Sequence, residues 1–536
     1  MLRLTMLSRG VVSGLLALAC AGGVSATGAN GAAPSRNTAV SPPSLTLAHG
    51  VALQAGDQAQ VIGANAPVRI NVVLKMRQQA ELEQVAGLVR SRVRQPLTDS
   101  ELAARYLPEH ADALRVSNFL RAHGFSQIYV SKDNMIVSAS GTAANVQSAF
   151  QTRLYSLHRG DKAGVANADA VQIPSSLAGV ISAVHGLRSF QERGVSGAKV
   201  AAMIEGHAYA KNKGVPGTQS TAGTVACQQC VHAPTDFPSL YGASNLAPAS
   251  GQTVAVIGVG DQRNTTYLYQ TWASAYGFSN IPLKVSYPTG YTAGDYEAQT
   301  EAVLDVDAVA TMSGGLKEID FYSAPSTDLG DELAAVTAAI NDNHSTISLS
   351  YAATCDADIG QDLRSSWDQE LSVAVAKGFT VFAITQDYGG KPGCSGGESS
   401  TGFPGSSPYV VSVGASTVYN SANSYSAYDH ETLWQGSESG PAATEQRPHY
   451  QDGRRHARHA GFRHGWRPQY RALDHHRWLR QHRHLPDAMG SVRWYQPCRT
   501  AVGGHLCQAV AERYSAVLLA KNFLRHRRRS SERNPR

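Results

Sequence analysis

Beyond its first two dozen residues the chain has no long apolar run. A spanning helix needs about 20 consecutive apolar residues, so that architecture is excluded for the rest of the chain. Charge is sparse before residue 453. Residues 1–452 carry 28 Lys+Arg against 37 Asp+Glu, a net charge of −9. Sparse charge with abundant glycine suits a loop-rich α/β protein. The last 84 residues lack something different. They hold 19 Lys+Arg, 4 Asp+Glu and 9 of the 19 His, yet a single lysine, Lys521. The overall net charge of +6 is therefore a property of this segment alone. A solvated basic tail would draw on both cations. No internal repeat is visible. Cys227-x-x-Cys230 has no second ligand pair at metal spacing, so a plain disulfide is expected there.

At the N-terminus, Arg3 and Arg9 form a basic region, Val11–Val24 an apolar one, and Val24-Ser25-Ala26 a small-residue cleavage site. This pattern reads as a signal peptide over residues 1–26. It leads us to expect a secreted protein, extracellular or periplasmic, with no membrane attachment after signal removal. Cys20 offers a lipoprotein alternative, opposed by Ala17 where a larger aliphatic residue is usual. Export makes disulfides available. Cys227, Cys230, Cys355 and Cys394 allow three pairings, of which Cys227–Cys230 and Cys355–Cys394 are preferred.

Residues 27–66 are rich in small residues and read as a flexible lead-in. Residues 67–190 read as a small α+β domain. Val68–Leu74 alternates like a strand, and Gln79–Val93, Asp99–Tyr106, Ala111–His123 and Ala144–Phe150 have helical spacing. Gln127–Val130 and Met135–Ser138 read as strands around a Lys132-Asp133-Asn134 turn. Residues 191–250 have the composition of an exposed linker and processing region. From 251 to 452 strands and helices alternate, with strands at Val254–Val259, Ile319–Ser323, Thr346–Tyr351, Thr380–Thr385 and Tyr409–Val413. The helices fall at Tyr296–Met312, Glu332–Asn341 and Leu363–Lys377. Such βαβ units imply a mostly parallel sheet with helices on both faces, and sites at the carboxyl ends of its strands.

Three carboxylates stand out. Glu301 and Asp305 are four apart in a helical segment, on one face. Like charges this close resist joint ionisation, which raises one pKa and suits acid/base work. The competing reading is a solvated acidic face with Glu297 and Asp307. It is weakened by Ala302, Val303, Leu304 and Val306, which mark the helix as mostly buried, where idle carboxylates are costly. Asp387 follows the strand ending at Thr385, where an active-site residue is expected; its alternative role is turn former. Gly393-Cys-Ser-Gly-Gly397 formally matches a nucleophile elbow around Ser395, but lacks the strand before it and the helix after it.

Gln95-Pro-Leu-Thr-Asp-Ser-Glu-Leu102, Val116-Ser-Asn-Phe-Leu-Arg-Ala-His-Gly-Phe125 and Ile136-Val-Ser-Ala-Ser-Gly-Thr-Ala143 resemble the activation prodomain of the sedolisins, serine-carboxyl peptidases with a subtilisin-like fold. Glu301-x-x-Leu-Asp305 resembles the family's acidic pair. Ser348-Leu-Ser-Tyr351 and Phe403-Pro-Gly-Ser-Ser-Pro-Tyr-Val-Val-Ser-Val-Gly-Ala415 resemble its core strands. The resemblance covers residues 67–452. It implies a subtilisin-like, doubly wound α/β fold behind a small α+β prodomain. It also implies Glu301 as general base to a serine, Asp305 as its supporting carboxylate, and Asp387 as the protonated acid that stabilises the oxyanion. The implied partners are a protein or peptide substrate and the chain's own prodomain. Thr385-Gln386 departs from the family's usual Ser-Gly before the third acid.

The family's Ser-Gly-Thr-Ser-x-x-x-Pro string is nowhere in the chain. Its aspartate-built calcium site is missing too, so no cofactor is expected. Without a nucleophile the pair has nothing to activate. Three readings compete for residues 453–536: a basic arm for nucleic acid or anionic surfaces, a His-rich metal tract, and a reading-frame slip. Read one base later, the codons of His456-Ala457-Arg458 allow Thr-Pro-Asp, and those of Phe462-Arg463 allow Phe-Asp. Gly465 to Arg471 allow Asp-Gly-Asp-Pro-Asn-Thr-Gly, similar to a family stretch at this place. Gly503-Gly504-His505-Leu506 allow Gly-Gly-Thr-Ser, with the following proline one residue early. We favour a slip between Gln451 and His456. The segment 251–452 is then a partial peptidase domain, 453–536 an aberrant tail, and nucleic acid is not an expected partner.

Overall fold

The computed structural model describes residues 44–160, 162–189, 234–290, 297–353, 355–386, 401–414, 416–420 and 428–433, with 442 and 444. The chain opens with β1 (Ser44–Ala48), β2 (Gln58–Val61) and β3 (Pro67–Leu74), then α1 (Gln79–Arg90), α2 (Asp99–Arg105) and α3 (His110–Ala122). There follow β4 (Ser126–Val130), β5 (Ile136–Thr142), α4 (Ala143–Phe150), β6 (Leu154–Arg159), β7 (Lys162–Asn167), β8 (Val171–Pro174) and β9 (Ile181–His185).

An antiparallel sheet of order β4-β5-β3-β9 forms the middle of this prodomain. The pleat of β3 sorts its side chains. Ile70, Val72 and Leu74 join Val116 and Leu120 of α3 and Val146 and Phe150 of α4 in one core. Val73 belongs to a different core on the other face. Both short helices start on capping boxes, Thr98 with Glu101 and Thr142 with Asn145, which satisfy otherwise orphaned amides. The stretch expected to be a flexible lead-in holds two strands from residue 44 on. β1 pairs with β8, and β2 with β6 in a three-stranded sheet of order β2-β6-β7. β2 is exposed throughout and lacks apolar alternation, so no periodicity betrays it.

The second half begins with α5 (Phe237–Leu240), inside the stretch read as linker, and β10 (Ala249–Val259), whose first two residues lie in that stretch. Residues 190–233 lie outside the described ones. Then come α6 (Thr265–Tyr276), β11 (Leu283–Ser286), α7 (Glu297–Ser313), β12 (Leu316–Ala324), α8 (Leu329–Asn341) and β13 (Thr346–Leu349). α9 (Gln361–Ala376), β14 (Thr380–Ile384), β15 (Val411–Val413) and the hairpin β16 (Ser416–Asn420) and β17 (Tyr428–Leu433) complete it. Six strands form one sheet, β11-β12-β10-β13-β14-β15, in which every pairing is parallel. β10 shows why it lies inside. Val254 and Val256 face a core shared with α6 and α7, while Ala255 and Ile257 face one shared with α8 and α9. A strand buried on both faces reads as a continuous apolar run. The fold is the doubly wound α/β arrangement expected.

The prodomain sits on the α8–α9 face. Leu82, Val85 and Val89 of α1 share a core with Leu371 and Val375 of α9. Around it, Asn71 Nδ2 donates to Asp331 Oδ1 (2.8 Å), Leu97 N to the Ala376 carbonyl (2.8 Å), and Gln369 Nε2 to the Leu74 carbonyl (3.3 Å). Lys377 Nζ lies 2.7 Å from Asp99 Oδ1, and the ammonium holds that carboxyl below its usual pKa.

Glu332, on α8, is fully buried, and neither carboxylate oxygen has a hydrogen-bond partner. Burial pushes its pKa well above the usual range, and Asp328 and Asp331 add to the effect. A raised carboxyl pKa means the folded state binds the proton more tightly than the unfolded chain. Stability is then full below the ordinary pKa and declines as pH rises through the native one. Glu332→Gln should raise stability by about 1–3 kcal/mol at pH 8 and leave pH 4 nearly unchanged. Thermal unfolding at both pH values checks this; an equal gain at pH 4 would refute it.

Candidate active site

α7 is apolar on nearly every side, and Ala302, Val303, Leu304, Val306 and Val309 are all buried. It carries Glu301, 7% exposed, and Asp305, 2% exposed, one turn apart. The buried helix expected from the apolar flanks is present, and the solvated acidic face is not. Asp307 is also buried, and burial holds its carboxyl well above the usual range. Two residues on from Asp305, it lies on another side of the helix, where its charge acts on Tyr269 and Tyr276 of α6.

Ser350 fixes where the pair sits. Its Oγ donates to Asp305 Oδ1 at 3.0 Å. Ser350 follows the last residue of β13, so Asp305 is tied to the carboxyl end of a central strand. On that edge of a doubly wound sheet, strand ends open into a crevice, because β10 has neighbours leading opposite ways. Ser350 was not singled out from the sequence as a site residue. The available signal was a small hydroxyl directly after a short apolar strand.

One strand further, Thr385 N donates to the Val413 carbonyl (2.8 Å) and its own carbonyl accepts from Gly402 N (3.1 Å). Gln386 has φ +90°, a conformation that favours glycine, so the backbone keeps a glycine-type turn although the chain has Gln there. Its side-chain amide donates to the Ala352 carbonyl, which holds the turn in place. The close packing at Gly402 has no room for a Cβ, which would lie 2.6 Å from the Ala353 carbonyl oxygen and 2.8 Å from that of Thr385. Asp387 itself, and Ser395 with its glycines, lie outside the described residues. The structure therefore brings Glu301, Asp305 and Ser350 to the strand ends. It carries the chain to within one residue of the third acid at the same edge.

Among the described residues no group of three or more His, Cys, Asp or Glu side chains could hold a metal ion. No helix among the described residues is long and apolar enough to cross a membrane.

A buried acidic pair thus lies at the strand ends of a doubly wound sheet whose other face carries a docked α+β domain. Residues 56–190 match the pro-kumamolisin activation domain. The chain is 29% identical over 393 residues to sedolisin of Pseudomonas sp. (strain 101), covering 70% of this chain and 63% of that protein. It is 28% identical over 397 residues to kumamolisin of Bacillus sp. (strain MN-32), covering 71% and 67%. A solved Pseudomonas sedolisin, complexed with two molecules of pseudo-iodotyrostatin, is 27% identical over 42% of this chain and 67% of its own, with a TM-score of 0.39. The chain is similar to the sedolisins, and these likenesses support that family. It spans a little under two thirds of the length of the Pseudomonas relative.

Proposed function

We propose that the gene encodes a secreted serine-carboxyl endopeptidase precursor acting on proteins at acid pH, and that this polypeptide is inactive as written. The bond from Ser350 to Asp305 is the observation that carries the first half. It supports a pair in which Asp305 is oriented from below and Glu301 is the base that takes a hydroxyl proton. Asp387 stabilises the oxyanion in its protonated form, which calls for low pH. The absence of Ser-Gly-Thr-Ser supports the second half. That Cys355 is disulfide-bonded supports its pairing with Cys394. The test is cleavage of denatured casein between pH 3 and pH 5. The chain as written should show none; cleavage that Glu301→Ala abolishes would overturn the reading.

A second reading rests on the +15 charge of residues 453–536. It is a non-catalytic secreted protein whose tail binds nucleic acid or anionic surfaces. Its mark would be DNA binding that weakens steeply with salt and disappears when the tail is removed.

A further inference from the structure

A second cluster of titratable groups lies where β9 meets α8 and α9, away from the carboxylate pair. His185 ends β9 and is 1% exposed. In the sheet it stands opposite Asn71 of β3, whose side chain reaches Asp331 of α8. Its Cβ lies against Gly330, where an added methyl would come within 2.6 Å of it. On α9, Ser366 Oγ is 2.9 Å from His185 Nε2 and donates its own hydrogen to the Asp362 carbonyl at 2.8 Å. With the hydroxyl hydrogen spent, Nε2 must carry the imidazole proton and donate it to Ser366. Nδ1 is left as a bare acceptor, buried without a hydrogen-bond partner.

A second proton on Nδ1 would place a cation in a dry junction with no acceptor for it. Burial is the main influence and holds the imidazole pKa down to about 4, from an ordinary 6.5. The charged groups facing the ring come from each packed element. Asp362 of α9 favours the proton and Arg188, beyond β9, opposes it; the two pair at 3.0 Å. α8 brings Asp328, Asp331 and Glu332 near, and β3 brings Arg69, whose charge acts on Asp331.

We propose that His185 is an acid-sensitive latch between the prodomain and the peptidase half: uncharged, it seats β9 on α8 and α9, and its protonation unseats it. The latch needs no catalysis, so it stands or falls apart from the peptidase reading. A ring that resists protonation when docked, but not when free, favours docking fully above about pH 6.5. That contribution is lost as pH falls toward 4. The buried carboxyls of the same face have the opposite sign. Burial raises the pKa of Asp133, Asp331, Glu332 and Glu370, so acid favours their buried state. Lys377 holds the Asp99 carboxyl below its usual range, so its contribution is lost only as pH falls beneath the ordinary carboxylate pKa. Asp342, held low by Lys132 of the prodomain, and His344, held low by burial, share the sign of His185, so the ring's own titration and the His185→Gln variant assign the loosening to His185.

The test uses the full chain and reads each group separately. Tryptic peptide 163–188 contains His185 as its single histidine, so exchange at its imidazole carbon, followed by mass spectrometry, gives that ring's own titration. We expect a midpoint well below 6.5 in the native chain and near 6.5 in urea. Amide protection of residues 181–185 and 361–376, corrected for intrinsic rates, should fall about a hundredfold relative to 254–259 between pH 7 and pH 4. His185→Gln keeps the donor to Ser366 and removes the second protonation site, so it should flatten that fall. A native midpoint at or above 6.5 overturns the latch, and it needs no variant that folds. So does a folded His185→Gln chain that loosens as much as the parent.

Discussion

On the proposed function, shifting the reading frame by one base between codons 451 and 456 should turn a polypeptide that cleaves nothing into an acid endopeptidase. The expected contrast is all or none, because the missing piece is the nucleophile itself. A carboxylate base multiplies the rate of an existing nucleophile by about a hundred to ten thousand, but has nothing to multiply without one. In the restored protein, Glu301→Ala should lower kcat by at least about a thousandfold. Asp305→Ala should approach that loss, since residues that act as a unit lose function together. Ser350→Ala should cost about tenfold, the equivalent of one hydrogen bond that orients rather than reacts. Its signature is a fall in kcat with KM nearly constant, as expected if Ser350 acts through its bond to Asp305. Initial rates on a peptide substrate at pH 4 check all three. A restored chain with full activity after Glu301→Ala would remove the acidic pair from the mechanism.

Much of this was legible in one sequence, and the reasons are uneven. The parallel sheet declares itself because strands buried on both faces, such as Val254–Val259, are apolar at every position. α7 declares itself because apolar residues surround its carboxylates, which argued against a solvated face. The strands after α4 stayed hidden. β6, β7 and β8 are short and their exposed positions are mixed; β7 pairs only with its neighbour β6, while the partners of β6 and β8, β2 and β1, lie about a hundred residues away or more. Long-range antiparallel pairing leaves no local period to read. α6 was missed for a related reason. Its buried positions, Thr265, Tyr269 and Ala273, mix polar with apolar residues, and Tyr267 and Leu268 are exposed. Glu301 and Asp305 were singled out by their spacing. Ser350 was not, because a lone serine carries no pattern until the sheet places it beneath Asp305. The buried carboxyls were the hardest case. Glu332 and Glu370 read as ordinary helical polar positions, yet both are fully buried in the folded chain.

Trp367→Ala should be among the most damaging single changes in the described part of the molecule. Trp367 is fully buried in α9 and is among the largest side chains enclosed in the core. Its indole Nε1 donates to the Leu329 carbonyl at 3.0 Å, at the start of α8. Its ring meets Phe403 edge-on, with centroids 6.1 Å apart. Truncation removes the ring, opens a cavity and leaves a buried carbonyl short of its donor, for a loss of about 3–5 kcal/mol. Trp367→Phe keeps most of the volume and should lose about 1 kcal/mol for the hydrogen bond. The damage should also reach the site. Phe403 exchanges two backbone hydrogen bonds with Ala353, and Gly402 beside it holds the Thr385 carbonyl, one residue before the turn that leads to Asp387. Trp367 thus packs the strand ends from behind while α9 carries the prodomain on its other side. Urea unfolding of the two variants separates these contributions. A Trp367→Ala midpoint close to that of Trp367→Phe would mean that the indole volume is dispensable, and that the strand ends are held by the sheet alone.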